Sequence, residues 1–184
     1  MSERIEAPIA VAEHAVAAEQ NVCEALLGFS DSPAAWLEGA FTRVANNDMK
    51  ALPFYRAAIP VKACGFALFE QQWVGCLLTP WTLSLLVLPG PGQVWSPRAA
   101  GERLALQLPC GNVTFLVSEI ADDTGENHQY LSCSLMSPID QHMSAAQALA
   151  LAEQSARMAL SLPVVDADAP RNLSRRALFL RGNA

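Results

Sequence analysis

The side chains with most capacity for chemistry are five cysteines and three histidines, and their spacing limits what they could do. A thiolate can act as a nucleophile or a metal ligand, and an imidazole can bind a metal or transfer a proton. Zinc ribbons, rubredoxin-like iron sites and thioredoxin-like redox sites need CxxC pairs, and the sequence contains none. These three kinds of site are therefore excluded. The residues concerned are Cys23, Cys64, Cys76, Cys110, Cys133, His14, His128 and His142.

Two of the cysteines lie inside runs that are otherwise typical of strands. Cys76 is part of WVGCLLTPW and Cys133 is part of QYLSCSLMSP. A small apolar core residue is the favoured interpretation of each, because free cysteines in a reducing compartment are often buried. A functional thiol would have to be partly exposed and have a lowered pKa, and a sequence shows neither property.

No motif of a known catalytic class is present. The sequence has no GxSxG elbow, P-loop, HExxH or GxGxxG. We expect His128 and His142 to be solvated or hydrogen-bonded, because a lone histidine beside a strand usually is. Asp122 and Asp123 amount to half a calcium loop at most. Taken motif by motif, the sequence therefore gives little support for catalysis, and we expect no cofactor and no metal site.

Composition and charge exclude further classes. In 184 residues, 52% are apolar and 16% are charged, which predicts one folded domain and not a disordered chain. A net charge of −6 disfavours nucleic acid as a partner and leaves no polybasic patch for membrane binding. The last fourteen residues carry four arginines and no acid, an asymmetry typical of solvated ends.

Nothing in the sequence predicts export or insertion into a membrane. The first residues, MSERIEAPIAVAEHAV, lack a basic segment followed by an unbroken apolar one, which a signal peptide requires. The most apolar stretch, residues 74–88, is interrupted by polar residues and proline and is too short to span a bilayer. We therefore expect a cytoplasmic protein without direct membrane insertion.

Helices are predicted near both ends of the chain. Apolar residues recur at helical spacing over 9–27, with Gly28 placed as a left-handed cap. A second helix is expected to start at an N-cap on Ser32 with Pro33 in the first position, and to run to about Asn46. A third helix is predicted over about 144–161, where a serine and a glutamine three residues apart form a capping box.

Strand formers dominate the middle of the chain. Strands are predicted within 62–88 and over 113–119 and 128–135, the last two forming an antiparallel hairpin. The Pro-Gly-Pro-Gly segment at 89–92 is expected to be an ordered turn. Strands flanked by helices, without alternation of the two, predict an α+β fold: a single domain with an antiparallel β-sheet packed against helices.

Tryptophan and proline are concentrated between residues 73 and 97. Three tryptophans and four prolines lie within these 25 residues. Aromatic side chains on proline-rigid loops can bind an apolar peptide at little cost in entropy, but they can equally complete a small core. Composition alone does not separate the two interpretations. The residues are Trp73, Trp81, Trp95, Pro80, Pro89, Pro91 and Pro97.

Several segments together resemble one family, the [NiFe]-hydrogenase assembly chaperones HybE, HoxT and HupJ. They occur in the same order as in the family and span about residues 30–182. The resemblance implies a domain over residues 31–184, preceded by a helical N-terminal extension over residues 1–30. The segments are FALFEQQWVGCLLTPWTLSLLVLPGPGQVW (66–95), LALQLPCGNVTFLV (104–117), QYLSCSLMSPID (129–140), SARMALSLP (155–163) and SRRALFLRG (174–182).

The resemblance implies a non-catalytic role in hydrogenase maturation. The expected partner is the small-subunit precursor, whose twin-arginine signal peptide has a basic end followed by an apolar stretch. The large subunit is a second expected partner. Some relatives carry a fused rubredoxin domain, which this chain lacks because it has no CxxC. The candidate partner-binding residues, at positions that match the family segments, are Trp73, Cys76, Trp81, Trp95, Arg98, Tyr130 and Cys133.

Two other hypotheses give the cysteines a direct role. In the first, Cys76 or Cys133 holds iron or an assembly intermediate, so that the protein is a scaffold or carrier. In the second, the thiols protect hydrogenase assembly from oxygen through a reversible oxidised state. Both require accessible sulfur atoms, whereas a chaperone would keep its precursor affinity after replacement of both cysteines.

Overall fold

Two three-stranded antiparallel meanders, joined along one strand pair, form the centre of the molecule. The computed structural model describes residues 28–161. Neighbouring strands follow the order β1-β2-β3-β6-β5-β4, with every pair antiparallel. The elements are α1 (Ala34–Val44), β1 (Lys62–Phe69), β2 (Gln72–Leu78), β3 (Leu83–Pro89), β4 (Arg103–Leu108), β5 (Gly111–Ala121), β6 (Asn127–Met136) and α2 (Ala145–Ala159).

The predicted α+β class and the predicted hairpin are confirmed. β5 and β6 pair antiparallel as expected, and their register places Glu119 opposite Gln129 and Ile120 opposite His128. Three strands occupy residues 62–89, as the composition indicated. β4 was not predicted as a strand. The helix predicted over residues 9–27 lies outside the described residues.

The two helices cover opposite faces of the sheet. Leu37 of α1 is fully buried against Leu77, Leu86 and Leu88 on one face. On the other face α2 contributes four alanines, whose small side chains let the helix approach β1 and β2 closely. These are Ala148, Ala152, Ala156 and Ala159.

The ends of α1 differ from the sequence prediction. The N-cap is Pro33 and not Ser32, because the Pro33 carbonyl accepts the first helical hydrogen bond, from the Leu37 N–H at 2.9 Å. The helix also passes the expected end at Asn46 and continues as a π-helical turn over Ala45–Met49.

The left-handed cap predicted at Gly28 belongs to the helix over 9–27 and so lies outside the described residues, but the contacts of Gly28 itself are described. Its N–H donates to the Gln93 carbonyl at 2.7 Å, and a Cβ atom at Gly28 would lie 1.8 Å from the Gly90 oxygen. Glycine is required here because two backbone segments meet.

The capping box of α2 is present and gives a prediction about stability. The Gln147 N–H donates to the Ser144 hydroxyl at 3.2 Å, and the Ser144 N–H donates to the Gln147 side-chain oxygen at 2.8 Å. We expect Ser144→Ala to lower the free energy of unfolding by about 1 kcal/mol, measured by urea denaturation. Ser144→Thr keeps an acceptor oxygen and serves as the control. Equal stability of the alanine variant and the wild type would contradict the assigned cap.

Candidate functional site

The sheet curls so that its two edge strands face each other across a groove. Phe69 of β1 and Val74 of β2 line one cavity of about 460 Å³ together with Leu106 and Leu108 of β4. A second cavity of about 250 Å³ continues it beneath the loop between β3 and β4. The two cavities share Gln72 and Leu106, and we call their combined lining the groove.

Strand alternation places the apolar side chains of the groove. Successive residues of a strand point to opposite faces, so every second residue of β4 faces inward while the residues between them are exposed. Val117 of β5 and Leu131 of β6 continue this apolar surface. The inward side chains of β4 are Leu104, Leu106 and Leu108.

The loop between β3 and β4 supplies the second wall and is held by hydrogen bonds. The Gln93 N–H donates to the Gly90 carbonyl at 3.0 Å, with Pro91 and left-handed Gly92 (φ 70°) between them, which is a type II turn. The Gln93 side-chain amide donates to the Gln71 side-chain oxygen at 2.6 Å. The turn predicted from Pro-Gly-Pro-Gly is therefore confirmed, and it directs Trp95 into the groove.

Trp95 and Arg98 are the two predicted binding residues that the structure brings together. Trp95 is half-buried against the core, and both residues line the groove. The Gln129 side chain holds the backbone of Arg98, accepting from its N–H at 3.1 Å and donating to its carbonyl at 2.7 Å. The Arg98 guanidinium donates to Glu102 at 2.6 Å.

Carboxylates outnumber the cation around the groove. Glu70 lines the groove at the β1–β2 turn and forms no ion pair with any residue between 28 and 161. Glu102 pairs with Arg98, and Glu119 accepts a hydrogen bond from Gln129 at 2.8 Å. Arg98 is the one cation in the lining of the two cavities and is already paired with Glu102, whereas Glu70 and Glu119 have no ion-pair partner among residues 28–161, which favours a basic ligand.

Trp73 and Tyr130 lie on the opposite face of the sheet, under α1. The Trp73 ring N–H donates to the Phe29 carbonyl at 2.9 Å. Tyr130 packs edge-on against Phe41, with ring centroids 6.0 Å apart. Burial raises the pKa of Tyr130, against a smaller lowering by a hydrogen bond from Ser118. Both residues hold α1 to the sheet.

Trp81 lies apart from both groups, at the turn between β2 and β3. It is half-buried and stacks on Tyr55, with ring centroids 6.3 Å apart. Trp73, Trp81 and Trp95 therefore do not line a common groove, although they lie close together in the sequence.

Cys76 and Cys133 are in register on the face that α2 covers, but they are not adjacent. Both lie opposite Leu85, one on each side, so β3 separates them. Cys64 lies opposite Cys76 on β1. Burial raises the pKa of Cys76 to about 12 and also raises the pKa of Cys64 and Cys133. This environment disfavours the thiolate that a carrier or a redox factor would need.

The burial of Cys76 predicts its reactivity. At pH 8 a thiol with a pKa of about 12 is a thiolate in roughly one molecule in ten thousand. We expect iodoacetamide to alkylate exposed Cys110 readily in the native protein, and to alkylate Cys76 more than about a hundredfold more slowly. Mass spectrometry of the digested protein measures each site. Rapid labelling of Cys76 in molecules that remain folded would favour the two hypotheses that give the cysteines a direct role.

Asp122 organises the β5–β6 hairpin and belongs to the one group of three possible metal ligands between residues 28 and 161. Its Oδ1 accepts from the Thr124 hydroxyl and N–H and from the Glu126 N–H, and its Oδ2 lies 3.0 Å from His128 Nε2. The Thr124 hydroxyl and then His128 hold the pKa of Asp122 well below its usual range. Ligand atoms of Asp122, Glu126 and His128 lie within 4.8 Å of one another, but the carboxylate of Asp122 already closes the turn.

Sequence reasoning missed β4, whose leucines line both cavities of the groove. The segment LALQL carries leucine at every second position, a pattern typical of a half-buried strand, and it is followed by a turn at Pro109–Gly111. That alternation could have identified β4. Gln72 and Gln129 carried no comparable signal, because their positions in the groove depend on strand pairing.

Comparison with known proteins identifies the class. Residues 32–181 match the family described as "[NiFe]-hydrogenase assembly, chaperone, HybE". The chain belongs to this family of hydrogenase assembly chaperones, as its sequence segments indicated. In the described part of the chain, no helix is long and apolar enough to cross a membrane.

Individual relatives are similar over most of their length. The hydrogenase-2 operon protein HybE of Escherichia coli K12 is 44% identical over 158 residues, which cover 86% of this chain and 95% of that protein. The hydrogenase expression/formation protein HoxT of Azotobacter vinelandii is 37% identical over 145 residues, which cover 77% of this chain and 91% of that protein. The solution structure of HybE from Escherichia coli matches with a TM-score of 0.60 at 44% identity. The match covers 86% of this chain and 95% of that one.

Proposed function

We propose that this protein binds the precursor of a [NiFe]-hydrogenase small subunit in the cytoplasm, holding the twin-arginine signal peptide in the groove. The role is non-catalytic, and the hydrogenase large subunit is a second candidate partner. The observation that carries this proposal is the continuous apolar groove between the sheet edges, with Glu70, unpaired among residues 28–161, in its lining and Arg98 neutralised by Glu102.

The apolar part of a signal peptide matches the floor of the groove. The inward leucines of β4, with Val117 and Leu131, offer a surface without charged groups. β4 pairs with β5 alone among the described strands, so its other backbone edge can bond to an added extended segment. Trp95 is the largest aromatic side chain in the lining, which also includes Phe69, and such residues contribute most to peptide affinity.

The basic part of the signal peptide matches the surrounding charge. Glu70 has no cationic partner among the described residues, and Glu102 and Glu119 lie at the Arg98 end of the groove. Complementary charge increases the association rate more than it increases affinity. We therefore assign the arginine pair a role in encounter and orientation, and the apolar contacts a role in retention.

The test compares the full chain's affinity for the small-subunit precursor, for the mature subunit and for a synthetic signal peptide. We expect the precursor to bind at least about tenfold more tightly than the mature subunit, a difference of about 1.4 kcal/mol. Titration calorimetry measures the subunits, and fluorescence anisotropy measures the labelled peptide.

Salt separates the two parts of the interaction. Raising the salt concentration should slow association of the peptide while changing its dissociation rate little, because screening weakens long-range attraction and leaves apolar contacts intact. Equal affinity for precursor and mature subunit, with no binding of the free peptide, would reject the proposal and favour the large subunit as partner.

A further inference from the structure

We propose that residues 171–182 of this chain itself bind in the groove when no precursor occupies it. This inference rests on the proposed function of the groove, because it assigns the same surface to an internal competitor. The segment reads RNLSRRALFLRG and therefore combines paired arginines with an apolar run in the order expected of the signal peptide.

The segment and the groove match in charge and in apolar character. Arg175 and Arg176 precede four apolar residues, 177–180, and residues 171–184 contain no acid. An extended run of four residues spans about 10 Å between its first and last Cα atoms, which fits within the roughly 13 Å that β4 covers from Leu104 to Leu108. Glu70 and Glu119 provide the opposite charge.

The segment follows the helix that packs on one wall of the groove. α2 packs on β1 and β2, and its Ala156 lies against Gly65 of β1. Phe69 of β1 and Val74 of β2 line the groove, so α2 covers the pair of strands that forms this wall. Residues 162–170 span up to about 30 Å when extended, which gives the segment a long reach from the end of α2.

Tethering makes such a competitor effective even if its intrinsic affinity is low. A short linker gives an effective concentration in the millimolar range. If the segment fills the groove in about nine molecules of ten, the apparent dissociation constant for an external peptide rises about tenfold. A precursor would displace it because its apolar stretch is longer than four residues.

The first arm of the test locates the segment without any signal peptide. A photo-crosslinking residue, p-benzoylphenylalanine, replaces Phe179 in the full chain, and mass spectrometry maps the product after irradiation. We expect crosslinks within one molecule to β4 or the 94–98 loop. Crosslinks elsewhere, none, or crosslinks chiefly between two copies would overturn the inference. Crosslinks to the groove would support the inference even if the free signal peptide failed to bind. That failure would count against the proposed function alone.

The second arm measures competition. Phe179→Ser removes an apolar anchor without changing the charge, and we expect it to tighten binding of a labelled signal peptide about threefold to tenfold. Arg176→Glu should act in the same direction. Lys50→Glu, which makes the same charge change at an exposed position after α1, is its control and should have less effect. If Arg176→Glu and Phe179→Ser both leave the affinity for the signal peptide unchanged while the peptide still binds in the groove, the inference is overturned. The proposed function would remain intact.

Discussion

Trp95→Ala is expected to weaken binding of the small-subunit precursor by about 1–3 kcal/mol, or roughly fivefold to more than a hundredfold, because a buried aromatic anchor dominates such an interface. Trp81→Ala is the matched control: it removes the same side chain from the β2–β3 turn, outside the groove. Calorimetry gives both affinities, and urea denaturation of the same samples shows whether each variant folds.

A second pair of variants covers the possibility that Trp95→Ala unfolds. Val94 is 59% exposed and lines the groove, so its replacement should leave the fold unchanged. Val94→Lys places a positive charge beside the proposed site of the arginine pair and should weaken binding, whereas Val94→Glu should maintain or strengthen it. Equal precursor affinity for these two variants, together with an unimpaired Trp95→Ala, would exclude the groove as the binding site.

Gly65→Ala is expected to lower the free energy of unfolding by about 2–5 kcal/mol, through two separate effects. Gly65 lies in β1 with φ +63°, a conformation that costs an L-residue about 1–2 kcal/mol. The added Cβ would also lie 2.6 Å from the Ala156 Cβ of α2, and overpacking of this kind costs about 1–3 kcal/mol. Urea denaturation measures the sum.

Two controls separate the effects. Gly92→Ala has a similar φ of +70° with open space around the new Cβ, so it should show only the conformational cost. Ala156→Gly removes the atom that Gly65→Ala would meet, so Gly65→Ala should cost less in that background than in the wild type. If Gly65→Ala and Gly92→Ala cost the same, the close approach of α2 to β1 assigned here is incorrect.

Much of the local structure could be predicted because it depends on neighbouring residues. The capping box of Ser144 and Gln147, the β5–β6 hairpin and the type II turn at 90–93 are each encoded within a few positions. The N-cap at Ser32 was wrong because the equally local hydrogen bond from Leu37 to Pro33 starts α1 one residue later. The contact of Gly28 with Gly90, in contrast, depends on a segment distant in the sequence.

The candidate site depended on the fold to a much greater degree. Alternation shows that a strand has two faces, but it does not say which face a helix will cover or how a sheet will curl. Composition does not distinguish Trp73 from Trp95. Strand register places Trp73 under α1, whereas the β3–β4 loop places Trp95 in the groove.

The sequence by itself therefore determined the class of fold, the short-range caps and turns, the absence of CxxC sites and, through its segments, the resemblance to hydrogenase assembly chaperones. Tertiary structure alone decided that Cys76 is buried beneath α2, and that β4 faces the β1–β2 hairpin across an apolar groove. The physical reason is that side-chain periodicity is a local property, whereas burial and groove formation require strands distant in the sequence to pair and the whole sheet to curl.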